Sequence, residues 1–146
     1  MTPDLPAVSE ITVRVNYSET DQMGVVYHAR YLVWLDIARC EHLRRTGVTY
    51  ADLERRGLRL VVGDLRIRYR QPARYDDVVR VRCWVRECAS RRVIFGYAVD
   101  CPDRAALLAT AETSMMVLGA DFSWARLPPD VASALPPVSP EPIRLF

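Results

Sequence analysis

Three residues within positions 17–34, YSETDQMGVVYHARYLVW, are of types and at a spacing suited to chemistry on a carbonyl group. Asp21 supplies a carboxylate, Gly24 permits a turn, and His28 stands where an apolar helical pattern begins. The start of a helix exposes backbone N–H groups that attract developing negative charge. A carboxylate delivered there could attack a polarised carbonyl group or activate a water molecule against it.

The helical pattern lacks a capping residue at its start. No Ser, Thr, Asp or Asn directly precedes it, and Tyr27 and His28 in that place are both poor N-caps. The first N–H groups of the helix are therefore predicted to bond water or to be reserved for a ligand oxygen. The alternative, left open here, is that Asp21 only shapes an Asx-turn before Gly24 and that His28 is a structural hydrogen-bonding residue.

Hydrophobic periodicity predicts the elements that position these residues. Residues 1–9 are expected to be an extended lead-in, and alternation over residues 10–17 predicts a first strand. Apolar spacing of three and four over residues 28–46 predicts a long helix that stops at Gly47. Its first two turns are apolar nearly all round, which predicts burial on more than one side. Residues 49–56 predict a short second helix, with Thr49 and Asp52 as a capping box.

Beyond residue 60 the hydrophobic period changes to two. Four successive strands, over residues 60–71, 79–86, 93–99 and 107–118, predict an antiparallel meander. The predicted fold class is α+β, a five-stranded antiparallel sheet wrapped around one long central helix. Residues 1–146 are predicted to form one domain, with a core over about residues 10–120 and a proline-rich tail over residues 123–146. The uncovered helix end and sheet edge predict a homodimer or homotetramer.

Composition argues against several other functions. A net charge of +2 is too small to predict a nucleic-acid partner or an anionic membrane surface. No apolar run reaches the length of a membrane span, and the start of the chain lacks the regions of a signal peptide, so a cytoplasmic location is predicted. The four cysteines have no CxxC spacing, which predicts free thiols and no metal site.

The pattern Y-x-E-T-D-x-x-G-V-V-Y-H-A-R-Y, followed by an apolar helix, resembles the hotdog-fold acyl-CoA thioesterases. It is similar to the 4-hydroxybenzoyl-CoA thioesterase family, and most closely to its YbgC-like branch. The resemblance extends over about residues 13–117 and includes the segment R-Y-R-Q-P-A-R-Y-D-D. It implies hydrolysis of an acyl thioester of coenzyme A, or of an acyl carrier protein. It implies no cofactor, because coenzyme A is part of the substrate. A hotdog dehydratase and a non-catalytic acyl-CoA-binding protein are the alternatives.

The resemblance also implies roles for individual residues. Asp21 matches the catalytic carboxylate, acting as a nucleophile through an acyl-enzyme anhydride or as a general base for water. His28 would polarise the thioester oxygen through its backbone N–H and line the pocket with its imidazole, and Tyr17 would position Asp21. Asp36, on the helix, is assigned a structural role within reach of Arg39. The implied substrate-binding and coenzyme A-binding residues are Gly24, Val26, Tyr27, Arg91 and Arg92.

All 20 basic residues are arginines, whose guanidinium group is well suited to binding phosphate. Arg91 and Arg92, in a turn, are expected to contact the phosphates of coenzyme A. Six more arginines are expected on one face of two adjacent strands, where the open alternative is an ordinary solvated sheet face. These are Arg66, Arg68, Arg70, Arg80, Arg82 and Arg86.

Overall fold

The structure is a computed structural model, and it describes residues 7–140 and 143–146. The predicted lead-in falls largely on residues 1–6, which lie outside the described residues. The elements follow the predicted order as far as the last strand, and the tail adds a third helix. In chain order they are β1 (Ser9–Arg14), α1 (Arg30–Arg45), α2 (Tyr50–Arg55), β2 (Leu58–Tyr69), β3 (Val78–Cys88), β4 (Arg92–Cys101), β5 (Ala106–Gly119) and α3 (Pro129–Ser133).

The five strands form one antiparallel sheet in the order β1-β3-β4-β5-β2, which confirms the predicted sheet. As the period of two predicts, alternating residues on one face of β3 and β4 are fully buried, in the core that they share with α1. They are Val79, Val81, Cys83, Val85, Val93, Phe95, Tyr97 and Val99. Burying each large apolar side chain stabilises the fold by about 1.5–3 kcal/mol. This packing holds α1 across the sheet.

The predicted meander of four successive strands is wrong at β2. This strand pairs with β5 at the edge farthest from β1, so only β3, β4 and β5 form a meander. The connection from β2 to β3 is a crossover, and hydrogen bonds join it to the loop before α1 and to the first turn of α1. The Val26 N–H donates to the Ala73 carbonyl at 2.8 Å, and the Ala73 N–H donates to the Tyr31 hydroxyl at 3.1 Å. The crossover therefore passes the start of α1.

In the single chain α1 is buried along one side only. Trp34 and Leu35 are each 1% exposed, whereas Leu32, Val33 and Ile37 retain 37%, 46% and 46% of their surface. The prediction that the first turns are buried on more than one side is therefore wrong for one chain by itself. An apolar stripe along α1 remains uncovered.

The arginines of β2 and β3 do not lie on adjacent strands, because β4 and β5 lie between them. The C-terminal tail covers part of this outer sheet face. The Arg66 guanidinium lies 3.8 Å from the centroid of the Phe146 ring, and Arg70 donates to the Leu145 carbonyl at 2.9 Å. Two other arginines of the face form the ion pairs Arg80–Asp100 and Arg86–Glu112. The face is therefore not simply solvated.

The four cysteines carry free thiols, with Cys83 and Cys101 buried and Cys40 and Cys88 half-buried. Across residues 7–140 and 143–146, no group of three or more His, Cys, Asp and Glu side chains could hold a metal ion. In the same residues, no helix is long and apolar enough to cross a bilayer.

Candidate functional site

The loop between β1 and α1 holds Asp21 in a tight turn. Gly24 has a φ of +77°, in the left-handed region that favours glycine, and its N–H donates to the Asp21 carbonyl at 3.0 Å. Oδ1 of Asp21 accepts the Met23 N–H at 2.8 Å, so the Asx-turn is formed. Oδ2 makes no hydrogen bond among the described residues. The half-buried carboxylate thus keeps one oxygen available.

Glu19 anchors the base of this loop to α1, and the sequence reasoning missed it. Its side chain is buried, with Oε1 accepting the Asn16 N–H at 2.9 Å and Oε2 accepting the Trp34 Nε1–H at 3.0 Å. Its carbonyl also accepts the Tyr27 N–H at 2.9 Å. Asn16 and Glu19 have capping-box spacing, a signal that could have predicted the first contact. Nothing in the spacing predicts the bond to Trp34.

As predicted, α1 starts without a side-chain cap. Its N-cap residue is Ala29, which has no side chain able to accept a hydrogen bond. The Arg30 N–H donates to the Tyr27 carbonyl and the Leu32 N–H to the Ala29 carbonyl. In the part of the chain that the structure describes, the N–H groups of His28 and Ala29 have no hydrogen-bond partner. These two N–H groups are therefore available as donors at the start of the helix.

Asp21 lines two neighbouring depressions. The first, of about 290 Å³, lies between the loop, the start of α1 and the end of β2, and is lined by Asp21, Met23, Val26, His28, Tyr31 and Tyr69. The second, of about 500 Å³, is lined by Asp21, Thr20, Tyr27, Ala29, Arg30 and Val33. A larger cavity of about 800 Å³ on the outer sheet face contains none of residues 17–34. The chemistry-bearing residues are thus gathered at the two smaller depressions.

Tyr31 and Tyr69 form an aromatic wall of the first depression. Their rings meet edge to face with centroids 5.1 Å apart, and the Tyr69 hydroxyl donates to the His28 carbonyl at 2.7 Å. Burial raises the pKa of both phenols, so both remain protonated at neutral pH. The exposed His28 imidazole lies beside the rings of Tyr27, at 4.5 Å, and Tyr69, at 6.3 Å. The alternation over residues 60–71 predicts that Tyr69 lies on a face of the strand, and it does not predict this contact with His28.

Tyr17 lies at the edge of the site with its side chain turned away. It is 77% exposed, and its ring packs edge to face against Tyr75 at 5.5 Å. Its hydroxyl makes no hydrogen bond to Asp21, but its carbonyl accepts both the N–H and the hydroxyl of Thr20. The predicted role of Tyr17 in positioning Asp21 stays a prediction.

Arg91 and Arg92 lie near the other end of the sheet. Arg92 pairs with Met116 of β5, whereas Tyr69, at the site, pairs with Ala109 of the same strand. This separation along β5 corresponds to about 23 Å. A single chain therefore does not bring Arg91 and Arg92 to Asp21, and their contact with coenzyme A stays a prediction.

Comparison with known proteins places the chain among thioesterases. Residues 15–135 match the thioesterase-like superfamily. The acyl-CoA thioesterase YbgC of Haemophilus influenzae is 43% identical over 84 residues, which cover 57% of this chain and 62% of that protein. DHNA-CoA thioesterase from Staphylococcus aureus superposes with a TM-score of 0.82 at 31% identity, covering 87% of each chain. Protein TT1821 of Thermus thermophilus superposes with a TM-score of 0.81 at 39% identity, covering 87% of this chain and 96% of that one. The chain therefore has the hotdog fold and belongs to the thioesterase-like superfamily.

Proposed function

We propose that this protein is an acyl-CoA thioesterase, which hydrolyses an acyl thioester to the free acid and coenzyme A. The observation that carries the proposal is the position of Asp21. Asp21 lines the first depression with His28 and the second with Ala29, and the backbone N–H groups of both residues have no partner among the described residues. The names of the Haemophilus and Staphylococcus relatives, both thioesterases of CoA esters, support it.

In the proposed reaction the thioester oxygen accepts a hydrogen bond from the His28 N–H, at the positive end of the helix dipole. One such donor lowers the barrier by about 3 kcal/mol, because negative charge develops on this oxygen. Asp21 either attacks the carbonyl carbon, giving an anhydride that water hydrolyses, or takes a proton from the attacking water. In the first route the C–S bond breaks as the anhydride forms, and the departing thiolate of coenzyme A takes a proton from solvent. In the second route Asp21 passes the proton that it took from water to the departing thiolate.

The variant Asp21→Asn tests the proposal with little change in the loop. Asparagine preserves the Asx-turn to the Met23 N–H, yet it is neither a nucleophile nor a base. We expect kcat on a panel of acyl-CoAs, followed with a thiol-reactive dye, to fall about 1,000-fold or more with unchanged thermal unfolding. Asp121→Asn is the matched control, because Asp121 accepts the Ser123 N–H at 3.1 Å in a similar turn outside the site.

The outcomes separate the alternatives. Tight binding of acyl-CoA by the natural protein without release of thiol would support a non-catalytic binding protein. Release of thiol from an acyl thioester of the acyl carrier protein, but from no acyl-CoA, would support the acyl carrier protein thioester as the substrate. A natural rate in Asp21→Asn would remove Asp21 from the reaction. An acyl group found on Asp21 by rapid-quench mass spectrometry would support the nucleophilic route over the general-base route.

We also propose that two copies of the chain join through β2 and the exposed side of α1. The stripe of Leu32, Val33 and Ile37 is not the whole of the exposed apolar surface. On β2, Val62 and Leu65 are 45% and 39% exposed, and they pair with the buried residues Met115 and Thr113. Among the described residues β2 pairs with β5 alone, so its other edge carries backbone groups with no strand partner there. A twofold axis would pair the two β2 edges in antiparallel fashion and cover both stripes. Two such dimers could form a tetramer.

This arrangement supports the predicted role of Arg91 and Arg92. Arg92, Met116 and Val61 form one row across the sheet, near the start of β2, whereas Tyr69 ends that strand. Antiparallel pairing sets the start of one β2 beside the end of the other, so the Arg91–Arg92 turn of a second copy would approach the site.

We expect sedimentation equilibrium to give a dimer or tetramer. Leu65→Asp should separate the copies, and a fully active monomer would contradict the arrangement.

A further inference from the structure

The Tyr69 hydroxyl holds the peptide group that opens α1. It donates to the His28 carbonyl at 2.7 Å from the end of β2, 41 residues away in the sequence. The backbone of α1 makes no use of this carbonyl, because the Leu32 N–H donates to the Ala29 carbonyl instead. Tyr69 is therefore the partner that fixes the His28 carbonyl.

Fixing that carbonyl also fixes the direction of the Ala29 N–H. The carbonyl of His28 and the N–H of Ala29 belong to one planar trans peptide group, in which they point in opposite directions. With Tyr69 bound on the carbonyl side, the N–H points away from Tyr69. Ala29 lines the second depression together with Asp21, and its N–H has no partner within residues 7–140 and 143–146. The Tyr69 bond thus fixes the direction of an unused donor in a residue that lines the second depression with Asp21.

The same bond makes that donor stronger. A hydrogen bond accepted by a peptide carbonyl polarises the whole peptide group, and its N–H then donates more strongly. We propose that Tyr69 is a positioning residue that aims the Ala29 N–H at the carbonyl oxygen of the bound thioester. This inference rests on the proposed thioesterase function and adds a second donor to the His28 N–H.

The variant Tyr69→Phe removes one oxygen and keeps the edge-to-face contact with Tyr31. We expect kcat to fall about tenfold while KM changes less than twofold, because the lost interaction acts mainly when charge develops on the oxygen. Tyr75→Phe is the matched control, since Tyr75 is also an exposed tyrosine and lines neither depression. Its kcat should equal that of the natural protein.

A spectroscopic readout separates positioning from packing. In Asp21→Asn protein, the carbonyl stretch of a bound acyl-CoA should lie at lower frequency than that of free acyl-CoA, because hydrogen bonds polarise it. In the double variant Asp21→Asn/Tyr69→Phe this shift to lower frequency should be smaller. An unchanged stretch and an unchanged kcat, with natural protein that turns over, would overturn this inference and leave the proposed function standing. No turnover by the natural protein on any acyl-CoA would overturn both.

Discussion

At the N-terminal end of α1, the N–H groups of His28 and Ala29 have no partner in the described residues, whereas the C-terminal end is closed by hydrogen bonds. The Thr46 N–H donates to the His42 carbonyl at 3.2 Å. His42, which is 1% exposed, shares a hydrogen bond of 2.7 Å with the Ser9 hydroxyl of β1. The open end faces two depressions, and the closed end is packed against the sheet.

Arg39 extends the closed half of α1 into a buried network. Its guanidinium donates to the Tyr50 hydroxyl at 2.8 Å, to the Tyr97 hydroxyl at 3.1 Å and to the Asp36 carboxylate at 2.5 Å. The ion pair with Asp36 agrees with the structural role predicted for that acid. These bonds tie α1 to α2 and β4. Since a buried polar group left unpaired costs about 1–3 kcal/mol, the bonds from the buried Arg39 to Tyr50 and Tyr97 favour a single arrangement, whereas the Asp36 carboxylate is exposed.

The contrast shows how one helix serves stability and chemistry in different turns. Unpaired donors are tolerated at Ala29 because this end borders open depressions that water or a ligand can reach. The closed half fixes the position of α1, so the donors of the open end do not have to be reoriented when a substrate binds. Such preorganisation is what makes a donor effective in catalysis.

The largest effect that we expect at the closed end is loss of stability in acid. Burial, followed by the charge of Arg45, lowers the pKa of His42 from 6.5 to about 4. Between these two pH values His42 is protonated in the unfolded chain and neutral in the folded protein. The free energy of unfolding therefore falls as the pH drops from about 6.5 to about 4. The loss through this group amounts to about 3 kcal/mol, measurable by urea unfolding at pH 7.5 and pH 4.

His42→Gln isolates this contribution. Glutamine does not titrate and can still bond the Ser9 hydroxyl, so the variant should lose about 3 kcal/mol less between the two pH values. The contributions of the carboxyl groups are common to both proteins and cancel. Its kcat at pH 7.5 should be unchanged, because His42 lies outside both depressions. An equal pH dependence in the two proteins would contradict the assignment to His42.

Local sequence patterns predicted the parts of the fold that depend on neighbours in the chain. The alternation of Val79, Val81 and Cys83 predicted their common buried face. The absence of a cap before α1 was likewise readable, because capping depends on residues directly before a helix. The place of β2 was not readable, since periodicity shows which face of a strand is buried and not which strand lies beside it.

The candidate site divides in the same way. The loop that carries Asp21 and Gly24 was predictable because its turn is local. Tyr69 was missed because only the crossover after β2 brings its hydroxyl to His28. The bond from Trp34 to Glu19 joins the loop to the second turn of α1 and leaves no pattern in the sequence. Long-range contacts of this kind depend on the packed sheet.

A smaller loss of stability is expected on removing the capping box at the start of α2. At α2, Thr49 accepts the Asp52 N–H at 3.0 Å, and the Asp52 side chain accepts the Thr49 N–H at 3.3 Å. Thr49→Ala should lower the free energy of unfolding by about 1 kcal/mol, measured by urea denaturation, with kcat unchanged. Thr49→Ser keeps the accepting hydroxyl and should lose much less. Equal losses in both variants would show that the Thr49 methyl group, and not the cap, is responsible.

The corresponding change at α1, Ala29→Ser, should not create an equivalent cap. Thr49 has the extended backbone of an N-cap, with φ −113° and ψ 159°, whereas Ala29 is helical, with φ −71° and ψ −18°. A serine hydroxyl at Ala29 is therefore poorly placed to accept the N–H groups of the first turn, and stability should change by less than about 0.5 kcal/mol. A gain near 1 kcal/mol would show that α1 lacks only a capping side chain. A small change would show that the backbone itself keeps this end open.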